Sequence, residues 1–188
     1  MYGHTDLRKD ILIELDGAPY RVVEYSHSAM GRGGAVVRTK LKNLLTGAVI
    51  ERSFRTADKV APAQLEREEM QYLYRDGDNA VLMNQSTYDQ KLVSFDTLGE
   101  QSRFMAENTP VTLLGYKGKV IGMEMPNSVN LKVTQTEPGA RGDTATAALK
   151  PCTVETGASI NVPLFINEGD VIKVDTRTGQ YLARAAGA

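Results

Sequence analysis

Glycine-centred turn signals recur at short intervals along the whole chain, and they keep every regular element short. The dipeptides Asp16-Gly17, Asp76-Gly77 and Thr178-Gly179 are three of them. The runs between the turns are rich in Val, Ile, Tyr and Thr, which favour strands. Evenly spaced short strands are typical of small barrels and sandwiches, so we predict an all-β protein. We expect strands at residues 20–25, 35–41, 70–74, 80–83, 111–116, 120–125, 129–134, 160–166 and 171–175.

Helix signals are few. Residues 96–105 begin with Asp96, an N-cap candidate, although Gly99 weakens a helix there. Residues 63–70 have helical propensity, but Glu68, Met70 and Tyr72 alternate with their neighbours into the next run. Alternation with a period of two indicates a strand, so we predict that it overrides the propensity.

Composition excludes several classes of protein. The 188 residues include 22 Lys and Arg against 23 Asp and Glu, a net charge of −1, with 41% hydrophobic residues. Such a chain folds as a globular protein and is not a polycation that coats nucleic acid by charge alone. Its one cysteine, Cys152, excludes an intrachain disulfide, and with two histidines we expect no metal site. No run of 18 apolar residues and no apolar leader is present, so we expect a cytoplasmic protein that does not associate with membranes.

Charge divides the chain into three parts. Residues 1–63 hold 10 Lys and Arg and 7 Asp and Glu (net +3), residues 64–127 hold 6 and 10 (net −4), and residues 128–188 hold 6 and 6 (net 0). Pro62 and Pro126 lie at the two changes. We therefore predict three β-modules at 1–63, 64–127 and 128–188. A basic module beside an acidic one would approach a polyanion with its basic end first.

The sharpest local feature is the glycine-rich segment at residues 28–34, SAMGRGG, between two predicted strands. Three glycines in four residues permit a projecting hairpin tip whose one long side chain is Arg32. Either this is a hairpin with an exposed arginine and no further role, or its guanidinium reaches into a narrow polyanionic crevice. The next strand alternates Arg38, Lys40 and Lys42 on one face, which is either a solvated face or a track for RNA phosphates.

Catalytic constellations are weak. His27 has no evident nucleophilic or acidic partner, and the apolar surroundings of Cys152 favour a small buried hydrophobe. The carboxylates Glu66, Glu68 and Glu69 alternate with a strand and are expected to face solvent. No glycine-rich phosphate cradle of the P-loop or dinucleotide type is present. We therefore expect neither an enzyme nor a bound cofactor.

Five spaced segments together resemble the bacterial elongation factor P family over essentially the full length. They are KPCTVETGASINVPLFINEGDVIKVDT (150–176), EPGARGDT (137–144), DTRTGQYLAR (175–184), KLKNLLTG (40–47) and MQYLY (70–74). The resemblance implies an SH3-like N-terminal barrel followed by two OB-fold barrels, L-shaped like a tRNA. It also implies a monomeric translation factor that binds both ribosomal subunits between the peptidyl-tRNA and exit sites. There such factors stimulate peptide bond formation and relieve stalling at consecutive prolines.

The resemblance also assigns roles to residues. The tip Gly31-Arg32-Gly33 corresponds to the segment that reaches the CCA end of the peptidyl-tRNA. Gly142, Asp143 and Thr144 match a loop that approaches the small subunit and the exit-site codon, and Tyr181 and Arg184 match further small-subunit contacts.

The tip arginine departs from the commonest pattern, because many members carry a lysine there that is extended by a lysylation-type modification. A guanidinium is no substrate for that modification. Some members with a tip arginine carry a rhamnose on it, added by a glycosyltransferase, and others act unmodified. For Arg32 the sequence leaves both states open.

Two alternatives remain at this point. One is the elongation-factor-P-like paralogue of the same family. The other is a general OB-fold protein that binds single-stranded nucleic acid, which would need aromatic stacking platforms. Aromatic residues make up 6% of the chain, with no tryptophan, so this second alternative is the less favoured.

Overall fold

The computed structural model describes residues 1–139 and 148–185, with the backbone alone for Met30. It contains 15 strands in three five-stranded sheets, and the strands of each sheet are consecutive in sequence. The predicted all-β class with few helices is confirmed. In the described part of the chain, no helix has the length and apolar composition that crossing a membrane requires.

The first sheet has the order β4-β3-β2-β1-β5 and is antiparallel. Leu15 pairs with Ala18 across Asp16-Gly17, whose φ angles are 51° and 76°. Two successive positive φ values define the turn that best matches strand twist, which explains the Asp-Gly pair. The strands are β1 (Leu12–Leu15), β2 (Ala18–Met30), β3 (Gly34–Asn43), β4 (Val49–Arg55) and β5 (Ala61–Pro62).

Alternation along β3 builds the core of the first sheet. Val37, Thr39 and Leu41 are buried, whereas Arg38 and Lys42 between and beyond them are exposed. Because successive side chains of a strand point to opposite faces, one face of β3 is apolar and the other cationic. Val37 and Leu41 on the apolar face belong to a core with five further buried side chains, which are Leu7, Ile13, Val22, Phe54 and Val60.

The second sheet has the order β10-β9-β6-β7-β8. Its strands are β6 (Glu66–Asp76), β7 (Asn79–Asn84), β8 (Gln90–Ser94), β9 (Pro110–Tyr116) and β10 (Lys119–Glu124). The prediction that 63–70 enters a strand is confirmed by β6. The candidate helix at 96–105, which Gly99 was expected to weaken, is two short segments that break at this glycine. The first, α1, covers Phe95–Leu98; Ser94 and not Asp96 caps it by accepting from the Thr97 N–H, and Gly99 at φ 89° ends it. A 3₁₀ turn follows at Glu100–Phe104.

The third sheet has the order β13-β12-β11-β14-β15, with the long strand β11 at its centre. Its strands are β11 (Ser128–Thr136), β12 (Leu149–Val154), β13 (Ser159–Pro163), β14 (Val171–Asp175) and β15 (Tyr181–Arg184). Backbone proximity divides the chain into two compact units, Met1–Glu66 with Gly115–Ile121, and Arg67–Leu114 with Gly122–Ala188. The second and third sheets therefore lie largely in one unit.

Phe104 links the second and third sheets within that unit. It comes from the 3₁₀ turn after α1, yet its ring is buried in the core of the third sheet with Leu131, Val133 and Val174. Its Cζ lies 3.0 Å from the position that a Cβ on Gly179 would occupy, and Gly179 has φ 74°. The Thr156 hydroxyl donates to the Arg103 carbonyl at 2.6 Å beside it. An aromatic side chain from one module thus completes the core of the next.

We expect Phe104→Ala to lower the free energy of unfolding of this unit by about 3–5 kcal/mol, because it empties an aromatic site in a packed core. Urea denaturation followed by circular dichroism measures the change. Phe165→Ala is the matched control: Phe165 is 59% exposed, so its loss should change stability by no more than about 0.5 kcal/mol. Equal effects of the two variants would contradict the assignment of Phe104 to the core.

Candidate functional site

The β2–β3 hairpin extends beyond the strands that flank it. β2, with 13 residues, pairs with β3 from Tyr20 opposite Asn43 to Met30 opposite Gly34. The pairing of β1 with β2 reaches Arg21, and the pairing of β4 with β3 reaches Val36. At its end the hairpin is therefore held only by the hydrogen bonds between β2 and β3, with no third strand beside it. The tip is thereby presented away from the core of the sheet.

Arg32 lies at the centre of the tip, in a 3₁₀ turn at Gly31–Gly33. It is exposed, and among the described residues its side chain has no hydrogen bond or ion pair. Of the tip glycines, Gly34 needs positive φ, at 81°, whereas a Cβ on Gly31 or Gly33 would meet nothing within 4 Å. The fold of the chain therefore does not require glycine at the two positions beside Arg32. A partner that approaches the tip closely would require it, because any side chain there would be in the way.

The three strand cations share one face, as the alternation predicts, but they are not equivalent. Lys40 Nζ lies 3.0 Å from Glu24 Oε2. The hydrogen bond and charge of Glu24 raise the pKa of Lys40, and Glu51 adds a smaller contribution. Arg38 and Lys42 have no ion pair within the described residues. That these residues contact RNA stays a prediction.

Two of the predicted small-subunit contacts, Tyr181 and Arg184, lie on β15 of the third sheet. Gly142, Asp143 and Thr144 lie outside the described residues. Tyr181 is half-buried and packs against the core, so it has a structural role beside any contact. Arg184 Nη2 lies 3.0 Å from Asp170 Oδ1. The pKa of Asp170 is lowered, mainly because its carboxylate accepts a hydrogen bond from the Asn167 N–H and also because Arg184 lies beside it. The ionised carboxylate in turn holds the Arg184 guanidinium at the edge of the sheet.

The residues considered for catalysis form no constellation in the described structure. His27 is exposed and meets the Tyr25 ring edge-on, with centroids 5.6 Å apart. Cys152 is 3% exposed in the core of the third sheet, and burial raises the pKa of its thiol. Within residues 1–139 and 148–185, no three His, Cys, Asp or Glu residues are placed to hold a metal ion.

Two residues of the site were missed by the sequence interpretation. Ser26 and Ser53 flank Arg38 as its cross-strand partners on β2 and β4. Only the pairing register brings the three together, since they are separated along the chain. The Tyr25–His27 pair, by contrast, has the i, i+2 spacing that places two side chains on one face of a strand, so the sequence pattern could have revealed it.

Family comparisons match all three sheets. The elongation factor P KOW-like domain matches residues 4–60, the elongation factor P OB domain residues 65–123, and the elongation factor P C-terminal domain residues 129–184. A KOW-like, SH3-like first domain followed by OB-like domains defines a translation factor. The chain belongs to the elongation factor P family and is a translation elongation factor.

Individual relatives agree over nearly the whole chain. It is 51% identical over 184 residues to elongation factor P of Acetivibrio thermocellus and 53% identical over 184 residues to that of Caldanaerobacter subterraneus subsp. tengcongensis, in each case covering 98% of this chain and 100% of the relative. Among solved structures, the eukaryotic translation initiation factor 5A from Methanococcus jannaschii is 20% identical, with a TM-score of 0.46, covering 66% of this chain and 90% of that one.

We expect the Cys152 thiol of the folded protein to react with DTNB more than about a hundredfold more slowly than in urea, since reaction requires local opening of the core. Its raised pKa also lowers the thiolate fraction at pH 8. The control is Cys152→Ala with Ser159→Cys, which moves the thiol to an exposed position on the adjacent strand β13. A Cys152 that reacts as fast as this control would contradict its burial.

Proposed function

We propose that this elongation factor binds the ribosome between the peptidyl-tRNA and exit sites and stimulates peptide bond formation at consecutive prolines. The observation that carries the proposal is the tip, where an exposed arginine without an internal partner among the described residues stands between two glycines that the fold does not require. Membership of the elongation factor P family supports it independently. The factor acts as a cytoplasmic monomer.

The mechanism is positioning. The proline ring fixes φ and restricts the approach of the reacting groups, so the reaction depends on how the peptidyl-tRNA end is held. Arg32 presents a planar guanidinium with five donors to the CCA end, whose phosphates and riboses accept hydrogen bonds. Holding that end in the reactive geometry lowers the entropic part of the barrier. No group of the factor exchanges a proton, so the ribosome performs the chemistry and the factor is not itself an enzyme.

The other contacts orient the factor on rRNA. Gly142, Asp143 and Thr144, with Tyr181 and Arg184, face the small subunit near the exit-site codon. An arginine-specific glycosyltransferase is the partner consistent with a rhamnose on Arg32. The open space beside Gly31 and Gly33 gives such an enzyme the same access to the tip that it gives the tRNA. The alternative within the family is the elongation-factor-P-like paralogue, which differs in regulation more than in fold.

We expect Arg32→Ala to lower the rate of polyproline synthesis about a hundredfold towards the level without factor, because the positioning group is lost. A purified translation system with a triproline reporter measures this rate. The free energy of unfolding should change by no more than about 0.5 kcal/mol, since Arg32 is exposed. Arg8→Ala, which removes an exposed arginine from the same module, should leave the rate unchanged. If Arg32→Ala supports the reporter as well as the parent, the tip is not the working end.

Arg32→Lys separates charge from shape. The substitution retains the positive charge but loses the planar fork and any sugar linked to arginine. We expect this variant to be strongly defective in the native host, with growth of a factor-dependent strain and the mass of the tip peptide as the measurements. A fully active Arg32→Lys variant whose tip peptide carries no modification would show that a point charge at the tip is sufficient.

A further inference from the structure

A three-strand row of side chains crosses the cationic face of the hairpin at Arg38. Ser26 of β2 and Ser53 of β4 are its two cross-strand partners. Directly paired residues of an antiparallel sheet project from the same face with Cβ atoms about 5 Å apart. The row therefore places one guanidinium between two hydroxyl groups. We call these three residues the Ser26–Arg38–Ser53 row.

The row is accessible and its arginine is unpaired within the described part of the chain. All three residues are exposed, and the Arg38 side chain takes no part in a hydrogen bond or ion pair with any described residue. They line an open groove of about 650 Å³, and Glu24, Lys40 and Glu51 of the adjacent row line it too. Five guanidinium donors and two hydroxyls with rotatable protons thus face one space, and no carboxylate is the direct cross-strand neighbour of this arginine.

The adjacent row has the opposite electrostatic character. There Lys40 lies between Glu24 and Glu51, its own cross-strand partners, and the ion pair with Glu24 measures 3.0 Å. One cation between two carboxylates leaves a net negative row, which repels an anion. The next row towards the tip has one charged residue, Arg55, opposite Val36. Arg55 does not line the groove, whereas the Lys40 row does. An anion in the groove is therefore attracted to Arg38 and repelled by the carboxylates Glu24 and Glu51.

We infer that Ser26, Arg38 and Ser53 form a subsite for one backbone phosphate of an RNA strand. The guanidinium matches the geometry of a phosphate and binds it in a bidentate way, while each serine hydroxyl donates to a further phosphate oxygen. The subsite rests on the proposed function, because the ribosome or its bound tRNA supplies the RNA. It assigns phosphate contact to Arg38 and gives Lys40 an internal role as the partner of Glu24.

The test compares Arg38→Gln with Lys40→Gln on 70S ribosomes that carry a tRNA in the peptidyl site. Losing one charged phosphate contact should weaken binding about tenfold and reduce the slope of log affinity against log salt by about 1. Lys40→Gln removes the same formal charge from the same strand face but no phosphate contact. Because it leaves Glu24 and Glu51 without their cation, it should weaken binding slightly, by less than Arg38→Gln does, with its slope unchanged. Arg38→Lys should retain the slope and lose affinity, and Ser26→Ala with Ser53→Ala should lose affinity without changing the slope.

Two outcomes would overturn the subsite: an Arg38→Gln variant that binds like the parent, or a Lys40→Gln variant that loses as much as Arg38→Gln. The second would mean that the face acts by total charge. A parent that does not bind ribosomes contradicts the proposed function instead. In that case a short single-stranded RNA at low salt becomes the probe: selective loss of binding by Arg38→Gln supports the subsite, and equal binding of parent and variant overturns it.

Discussion

The antiparallel pairing of β2 with β3 is the interaction on which the functional surface depends. Its register runs from Tyr20 opposite Asn43 to Met30 opposite Gly34, with an irregularity between Val22 and Glu24. A shift of one residue would turn every side chain to the other face, so this register decides what is buried and what is presented. It places Val37 and Leu41 in the core, aligns Lys40 with Glu24, and sets Arg38 between two serines.

The irregularity on β2 has a specific effect. Between Val22 and Glu24 the strand holds one more residue than its partner, so Val22 pairs with Leu41 and Glu24 with Lys40. Val22 is fully buried on the core face. Because of the extra residue, Glu24 lies on the cationic face instead, where its carboxylate forms an ion pair with Lys40. A bulge of this kind increases local twist and re-aims the following residues. The segment from Glu24 to the tip is thereby oriented differently from the segment that packs in the core.

Local sequence signals predicted most elements and the tip, because each depends on neighbouring residues. The Asp16-Gly17 turn and the alternation that makes 66–76 a strand are of this kind. The start of α1 was missed because Ser94, and not Asp96, supplies the cap. The position of Ser26 beside Arg38 was out of reach, because it depends on pairing between segments and on the extra residue of β2. Membership of the elongation factor P family confirms the resemblance that the five spaced segments indicated, whereas the role of the glycine-rich tip stays a prediction.

The burial of Phe104 in the third sheet has a consequence during synthesis. Arg184, the last residue of β15, follows it by about 80 residues. At a synthesis rate of about 5–20 residues per second, about 4–16 seconds pass between the synthesis of Phe104 and that of the last strand of the third sheet. In that interval the Phe104 ring lacks the core of the third sheet into which it packs, so chaperones and other nascent chains have access to it. The packing between the second and third modules is therefore completed only when the last strands of the chain have been made.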